Sequence, residues 1–402
     1  MKWRVVKLDE IKAPEKGALV SGPFGSNIGS RFFVAAGVPV IRGNNLSMGQ
    51  KRFIDDGFVF ITEDKARELR NCNARSDDII FTAAGTLGQV GLMPKIGRFE
   101  SYIISNKQIR LRLDTNQAFP LFAYYFLSSP DMRAFIASQN KGSSVPLLTL
   151  GIIRNLKIPL PPITTQKRIV AILSAYDDLI ENNQQRIALL EKMAEEIYRE
   201  WFVRLGFPGH EKVKKVKGVP EGWEVKKLGS VLELCYGKAL KDDDRVSGEF
   251  HVYGSSGVVG THNEALVKTP GLIVGRKGNI GSVYWSDRGF FPIDTVYYVK
   301  SELPNSFLYF LLRSMNFINN DAAVPGLNRN QAYSNLFFLP PAQLIKRYVE
   351  IADSLFKMKR VLTRKNEYLT SMRDKLLLRL LSGKLSIEHL DIRFPPGMED
   401  RP

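Results

Sequence analysis

Cysteine is nearly absent. Cys72 and Cys235 are too few for a disulfide framework in 402 residues. No apolar run approaches the roughly 20 residues that span a bilayer. The opening MKWRVVKLDEIK lacks the apolar segment and small-residue cleavage site of a secretory leader. These absences predict a cytoplasmic protein without a membrane span. Histidine is scarce too: His210, His251, His262 and His389 show no metal-ligand spacing, and neither cysteine has a companion at ligand distance. GLIVGRKG from Gly271 falls short of a phosphate-binding P-loop. Glu224 and Lys226 form an Glu-x-Lys without an upstream metal-binding aspartate. Acids are outnumbered, 41 against 57 Lys and Arg, and the net charge of +16 suggests a polyanionic partner. The helical segments carry mixed charges rather than the single basic face of a membrane-surface helix.

What the chain does have is a repeat. LPPITTQKRIVAI from Leu160 returns as LPPAQLIKRYVEI from Leu339. WRVVKL at Trp3 returns as WEVKKL at Trp223, GTLGQV at Gly85 as GNIGSV at Gly278, and VPLL at Val145 as VPGL at Val324. The anchors keep their order, while the interval between them is shorter in the second copy. Two long units are not a solenoid, whose period is about 20–50 residues. They suggest one module used twice, with a fixed frame and a variable interior.

A long helical pattern follows each Leu-Pro-Pro, where proline costs a helix start nothing. Leu355, Leu362, Leu369 and Leu376 recur every seven residues, with Ile351, Met358 and Met372 as the expected companion row and Lys365 and Arg379 as exceptions. Ile169, Tyr176, Leu190 and Ile197 make the matching row, broken by Asn183. Ile172, Leu179 and Met193 lie beside it, and Ile180, Ile187 and Trp201 widen the stripe. No proline or glycine interrupts 164–205 or 342–381, so each helix is expected to reach roughly 60 Å. The two are expected to pack on each other, with Asn183 fixing their register. Expected strands are 79–82, 90–93 and 108–113 in the first unit, and 272–274, 282–285 and 295–299 in the second. Segments 120–127 and 304–312 are expected to be helical, 206–223 an exposed connection, and the chain after Ser386 irregular.

These features together resemble the specificity subunit of type I restriction–modification systems. The match rests on both Leu-Pro-Pro–Lys-Arg helix starts, EEIYREWFVRLGFPG closing the first helix, VPVIRGNNL, and the paired Gly-x-(Leu/Ile)-Gly-x-Val turns. The resemblance implies an α/β (α+β) fold with a pseudo-twofold internal repeat. Two target-recognition domains, 1–158 and 211–338, would alternate with helical spacers 159–210 and 339–386, leaving a tail at 387–402. The helices would pack as an antiparallel coiled coil. Each half would dock one of two modification (methyltransferase) subunits, with restriction subunits joining, and each domain would read half of a split, asymmetric double-stranded DNA target. Readers on one side of a duplex must sit about 34–36 Å apart, which a 60 Å helix pair can span. Methyltransferases acting on adenine or cytosine amino groups typically carry (Asp/Asn/Ser)-Pro-Pro-aromatic, whereas the Pro-Pro pairs here lack it. No cofactor is therefore expected in this chain. S-adenosylmethionine, ATP and Mg are expected on partner subunits.

Candidate DNA contacts lie on loops. Arg42, Asn44 and Asn45 carry base-edge chemistry, or else make a turn. Lys51 and Arg52 could meet phosphate or form a solvated pair. Lys141, Ser143 and Ser144 precede the first Val-Pro anchor, and Asn328, Arg329 and Asn330 follow the second. Arg276, Lys277 and Asn279 surround the second glycine turn, where the first unit has Ala83, Ala84 and Thr86. Asp242, Asp243 and Asp244 read as a solvated loop or a cation site, and Phe24, Phe32 and Phe33 as core rather than stacking residues. Two other classes stay open: a self-contained DNA-modifying enzyme, which the missing motifs oppose, and a coiled-coil scaffold without DNA binding, which would not need the charge or two divergent domains.

Overall fold

The computed structural model describes residues 3–48, 51–138, 147–317, 326–395 and 398. It divides into two compact units, Met1–Glu181 with Glu367–Pro402, and Asn182–Asn366. Two helices run through both units: Ile163–Tyr198, 36 residues, and Ala342–Leu381, 40 residues. At 1.5 Å per residue they are about 54 and 60 Å long.

In the first unit an antiparallel sheet has the order Leu19–Ser21, Gln108–Leu111, Ile79–Thr82, Val90–Leu92. A second sheet runs Val59–Ile61, Val38–Ile41, Tyr102–Ile104, Asn73–Ala74, with Val38–Ile41 and Tyr102–Ile104 parallel. The second unit repeats the design. Its antiparallel sheet is Leu232–Tyr236, Val296–Ser301, Gly271–Gly275, Val283–Ser286. The companion sheet is Gly257–His262, Phe250–Gly254, Phe290–Pro292, with Phe250–Gly254 and Phe290–Pro292 parallel like their counterparts in the first unit and no counterpart of its edge strand Asn73–Ala74. Each unit also closes its ends into a two-stranded ribbon, Arg4–Lys7 with Lys157–Leu160 and Glu224–Lys227 with Leu336–Leu339.

The frame recurs bond by bond. Leu8 N donates to Leu156 O at 2.9 Å, and Leu228 N to Asn335 O at 2.8 Å. Leu148 N donates to Ala83 O at 2.8 Å, and Leu327 N to Arg276 O at 2.7 Å. After Leu19–Ser21 and after Leu232–Tyr236, matching edge strands of the two antiparallel sheets, the backbone passes so close to its neighbour that only glycine fits. A Cβ on Gly22 would lie 1.8 Å from Ser105 O, and one on Gly237 2.1 Å from Ile293 O.

The expected strands and the helices 120–127 and 304–312 all appear, with shifts of up to two residues at their ends. The connection expected at 206–223 contains a short ribbon, Lys215–Val216 with Val219–Pro220. The first long helix closes in a π turn at Arg199–Val203. Phe32 and Phe33 pack against the core of the second sheet, but Phe24 is 83% exposed, contrary to its expected core role. It follows Gly22, which crosses Ser105, and Pro23 onto the surface.

The helices pair through each unit's core. In the first unit Ile169, Val170 and Leu173 share one apolar cluster with Leu377, Leu380 and Leu381, and with Phe81 and Phe122 of the domain. Gln166 is fully buried at the helix start. It accepts from Phe119 N at 2.7 Å and donates to Gln117 O at 3.0 Å and Pro161 O at 2.8 Å, fastening the helix to the loop before Pro120–Leu127. Arg168 fastens the tail by donating to Ile387 O and Leu390 O. In the second unit Ala194, Tyr198 and Phe202 cluster with Tyr348, Ala352, Phe356 and Phe307. Tyr348 donates to Ala194 O at 3.2 Å.

Partner numbers fall on one helix as they rise on the other, so the pair is antiparallel. Asp177 meets Arg373 at 2.8 Å in the first unit. Asn183 donates to Asn366 at 2.8 Å, and Glu191 meets Lys359 at 2.6 Å, in the second. Leu362 and Ile169 are buried, and Tyr176, Leu190, Ile197, Leu355, Leu369 and Leu376 are half-buried. Of the expected companions, Ile172 and Met372 are half-buried, and Ile180 and Ile187 line the seam as expected. Contrary to expectation, Ile351, Met358, Leu179 and Met193 are exposed. Their places in the seam go to Ala352, Lys359, Asn366, Arg373 and Leu380 on one helix, and Leu173, Ile180, Ile187 and Ala194 on the other. Apart from Ala352, which follows Tyr348 by four, these lie four residues after each member of the leading row, the alternation of four and three that a coiled coil requires.

This seam is testable in the isolated chain by denaturant melts. Leu362→Ala should cost about 2–5 kcal/mol. Ile351→Ala should stay within about 0.5 kcal/mol. The reverse order would restore the row of Ile351 and Met358.

Candidate nucleic-acid interface

In the second unit, the turn between Gly271–Gly275 and Val283–Ser286 is folded tightly against the neighbouring strand. Arg276 N and Lys277 N both donate to Thr295 O, at 2.9 and 3.1 Å, and Gly281 N donates to Gly275 O at 2.9 Å. A side chain on Gly275 would place its Cβ 2.1 Å from Asn279 O. The turn therefore presents Arg276 on a rigid stem. Arg276 Nη1 donates to Asp294 O at 2.7 Å, and its guanidinium carbon lies 5.0 Å from the Tyr236 ring centroid. Arg329 reaches the same ring at 4.9 Å. It opens the short helix Arg329–Ser334, whose N-cap is Asn328. Tyr236 packs on Tyr297 at 5.1 Å, and Tyr297 donates to Leu327 O at 2.9 Å. Burial, and then the interaction with the neighbouring Tyr236 hydroxyl, push the Tyr297 hydroxyl up to about 12, so it stays neutral.

Two guanidinium groups thus share one exposed tyrosine ring. Among the described residues neither forms an ion pair with a carboxylate. Adjacent, unneutralised and held in place, they are suited to a phosphate backbone or a base edge. Lys277 and Asn279 are exposed on the same turn, and Asn330 is exposed on the helix. Asn328 spends its side-chain oxygen on Asn330 N and Gln331 N. Sequence reasoning missed Tyr236. An isolated tyrosine at a strand end carries no signal until two distant arginines converge on it.

The first unit has no such platform at the matching positions. Ala83 stands where Arg276 does, and Leu150 where Arg329 does, as the shared backbone bonds show. Its IRGNNL segment is a stitched turn. Asn45 is fully buried; it accepts from Arg42 N and donates to Ile54 O and Asp56 O. Asn44 is exposed and donates to Gly57 O at 3.0 Å. Gln89 donates to Gly43 O and Leu46 O, closing the turn from the other side. Arg42 is half-buried, and its Nε is buried without a hydrogen-bond partner among the described residues. Lys51 is exposed, whereas Arg52 turns inward to Tyr125 and Asp177. Lys141, Ser143 and Ser144, with the anchors at Val145 and Val324, lie outside the described residues.

The other sequence candidates are ordinary surface features. Asp242–Asp244 is an exposed turn in which Asp242 pairs with Arg245. Glu224 and Lys226 pair with each other at 2.7 Å. Among the described residues no group of three or more His, Cys, Asp or Glu could hold a metal ion, and no helix is long and apolar enough to cross a membrane.

Known proteins place this architecture. The family described as the type I restriction modification DNA specificity domain matches residues 2–192 and 220–369, one segment in each copy of the repeat. The MjaIX specificity subunit of Methanocaldococcus jannaschii is 22% identical over 96% of this chain and 94% of its own length. The MjaVIII specificity subunit of the same organism is 34% identical over 35% of this chain and 32% of its own length. The crystal structure of the type I restriction–modification S subunit from M. genitalium shares the fold. Its TM-score is 0.55 at 19% identity, over 94% of this chain and 96% of that one. A module built twice on one helix pair, matched by the family in both of its copies, places this chain in the type I restriction–modification DNA specificity family.

Proposed function

We propose that each copy of the module reads one half of a split, asymmetric duplex target, and that the chain lends this specificity to a methyltransferase and restriction complex whose catalysis lies on other subunits. The readers are assigned to residues 1–158 and 211–338, the helical spacers to 159–210 and 339–386, and the tail to 387–402. S-adenosylmethionine, ATP and Mg belong on the partners.

The observation that carries this reading is a shared frame with unlike surfaces. The antiparallel sheet keeps its strand order and the closing bonds recur in both units, yet Arg276 and Arg329 flank Tyr236 in one and Ala83 and Leu150 hold those places in the other. Identical frames suit two docked copies of one partner, and unlike surfaces suit two different half-sites. Val5 and Val225 support the docking half of the reading. They hold matched positions on the two ribbons and are 59% and 55% exposed. An apolar groove of about 740 Å³ adjoins Val5, lined by Trp3, Phe126, Phe135 and Leu378. Two modification subunits, one on each ribbon, would cover such surfaces.

The arginine pair gives the first test. Each phosphate contact releases condensed counterions and adds about 0.9 to the slope of log affinity against log salt. In the complex assembled with its methyltransferase subunits, Arg276→Ala with Arg329→Ala should weaken DNA binding and reduce that slope by about two. An unchanged slope would remove both residues from the phosphate contacts.

The helices give the second. One heptad inserted at matched points of both helices keeps the seam in phase and adds about 10 Å of helix. Methylation mapping should then show both half-sites retained and the gap between them longer by about three base pairs. An active variant with the original gap would show that the helices do not measure it.

A further inference from the structure

Two carboxylates in the helix seam do more than pair the helices. In the first unit Asp177 accepts from Arg373 Nη1 of the second long helix at 2.8 Å and from Tyr125 Oη at 2.5 Å. Tyr125 lies on Pro120–Leu127, a helix of the globular domain. Arg52, from the loop that follows the IRGNNL turn, donates to both Asp177 at 3.2 Å and Tyr125 at 3.1 Å. In the second unit Glu191 accepts from Lys359 Nζ of the second long helix at 2.6 Å and from Tyr309 Oη at 2.7 Å. Tyr309 lies on Asn305–Ser314, the corresponding domain helix, and Arg313 adds a contact to Glu191 at 3.1 Å. Tyr125 and Tyr309 each stand five residues after a proline that opens the helix, Pro120 and Pro304.

The same three-part junction is therefore built twice with different residues: an acid from the first long helix, a base from the second, and a tyrosine from the domain. We propose that Asp177 and Glu191 are positioning residues for DNA recognition, each fixing the angle at which its reader meets the helix pair. The inference rests on the specificity function proposed above.

A carboxylate has about four lone-pair sites. Each of these holds three donors: Asp177 draws them from three segments, and Glu191 from two, the second long helix and the domain helix that carries both Tyr309 and Arg313. A half-buried carboxylate cannot give up one donor cheaply, because the loss leaves a charge short of a partner where water is scarce. Burial alone would raise the Glu191 carboxyl. Lys359, Tyr309 and Arg313 outweigh it and hold the group below the ordinary range, so it is charged at neutral pH. Burial, and then the charge of Glu191, push the Tyr309 hydroxyl up, so it remains a donor. Turning the domain helix on its seat would break this bond first. In the first unit the junction also holds Arg52, which makes that arginine a brace for the neighbouring turn rather than a phosphate contact.

The test uses the full chain assembled with its methyltransferase subunits, and the target found by methylation mapping of the wild-type complex. Methylation rates are compared on that target and on duplexes with one base changed in either half. Tyr309→Phe removes a single hydroxyl and keeps the Glu191–Lys359 pair, so the helices stay joined. It should lower discrimination in one half-site by about tenfold or more and leave the other unchanged. Tyr125→Phe should do the same to the opposite half-site. Glu191→Gln combined with Tyr309→Phe should add little to the loss of discrimination caused by Tyr309→Phe alone. Variants that lose stability but discriminate as wild type at both half-sites would overturn the positioning role. A wild-type complex indifferent to base changes would instead overturn the specificity function, and the positioning role with it.

Discussion

A helix of 36 residues is not held by propensity. Most of its stability must come from covering its apolar stripe. Here the cover is a second long helix from the other end of the chain, and everything else is arranged around that contact. The globular domains complete it. In each unit the core of the antiparallel sheet and the helix seam form one apolar cluster. The domains do not hang from the helices by linkers; they share interior with them.

The seam is not wholly apolar, and its polar layers are what make it particular. Both acids, Asp177 and Glu191, lie on the first helix, and both bases, Lys359 and Arg373, on the second. Each pair of like charges is two heptads apart. Asn183 and Asn366 hydrogen-bond between them. An apolar stripe alone tolerates slippage by a heptad, whereas these three layers meet their complements in one register and one direction. Pairing the first helix with another copy of itself would bring acid toward acid.

On this common frame the two units diverge at the surface. The second uses a tightly folded glycine turn to hold Arg276 beside Tyr236. The first places Ala83 there and invests its polar side chains in a turn closed by Asn45 and Gln89. The frame is backbone hydrogen bonding and glycine geometry, which side-chain replacement on the surface leaves intact. That independence lets one scaffold carry two different faces.

By itself the sequence determined the duplication, the order of the anchors, the long helices and most of the sheet strands. Those rest on local physics: proline at a helix start, seven-residue spacing, and short apolar runs bounded by glycine. The second long helix spans Ala342–Leu381, as its uninterrupted pattern indicates. The charge and the missing metal and nucleotide motifs likewise pointed to a polyanion and away from catalysis. Only the tertiary structure decided which faces are covered. Ile351 and Met358 look like seam residues and Lys359 and Arg373 like surface, yet the seam takes the charged pair. The acids that meet them across the seam lie more than 160 residues away in the chain, so no local pattern could reveal the match. Asn45 looks like a base reader until its amide is seen bound to Ile54 and Asp56. Tyr236 looks like nothing until Arg276 and Arg329 arrive from two distant points of the chain. Periodicity marks what can be buried; which charge is buried, and which arginine is left without a carboxylate, depends on partners that only folding brings within a few ångströms.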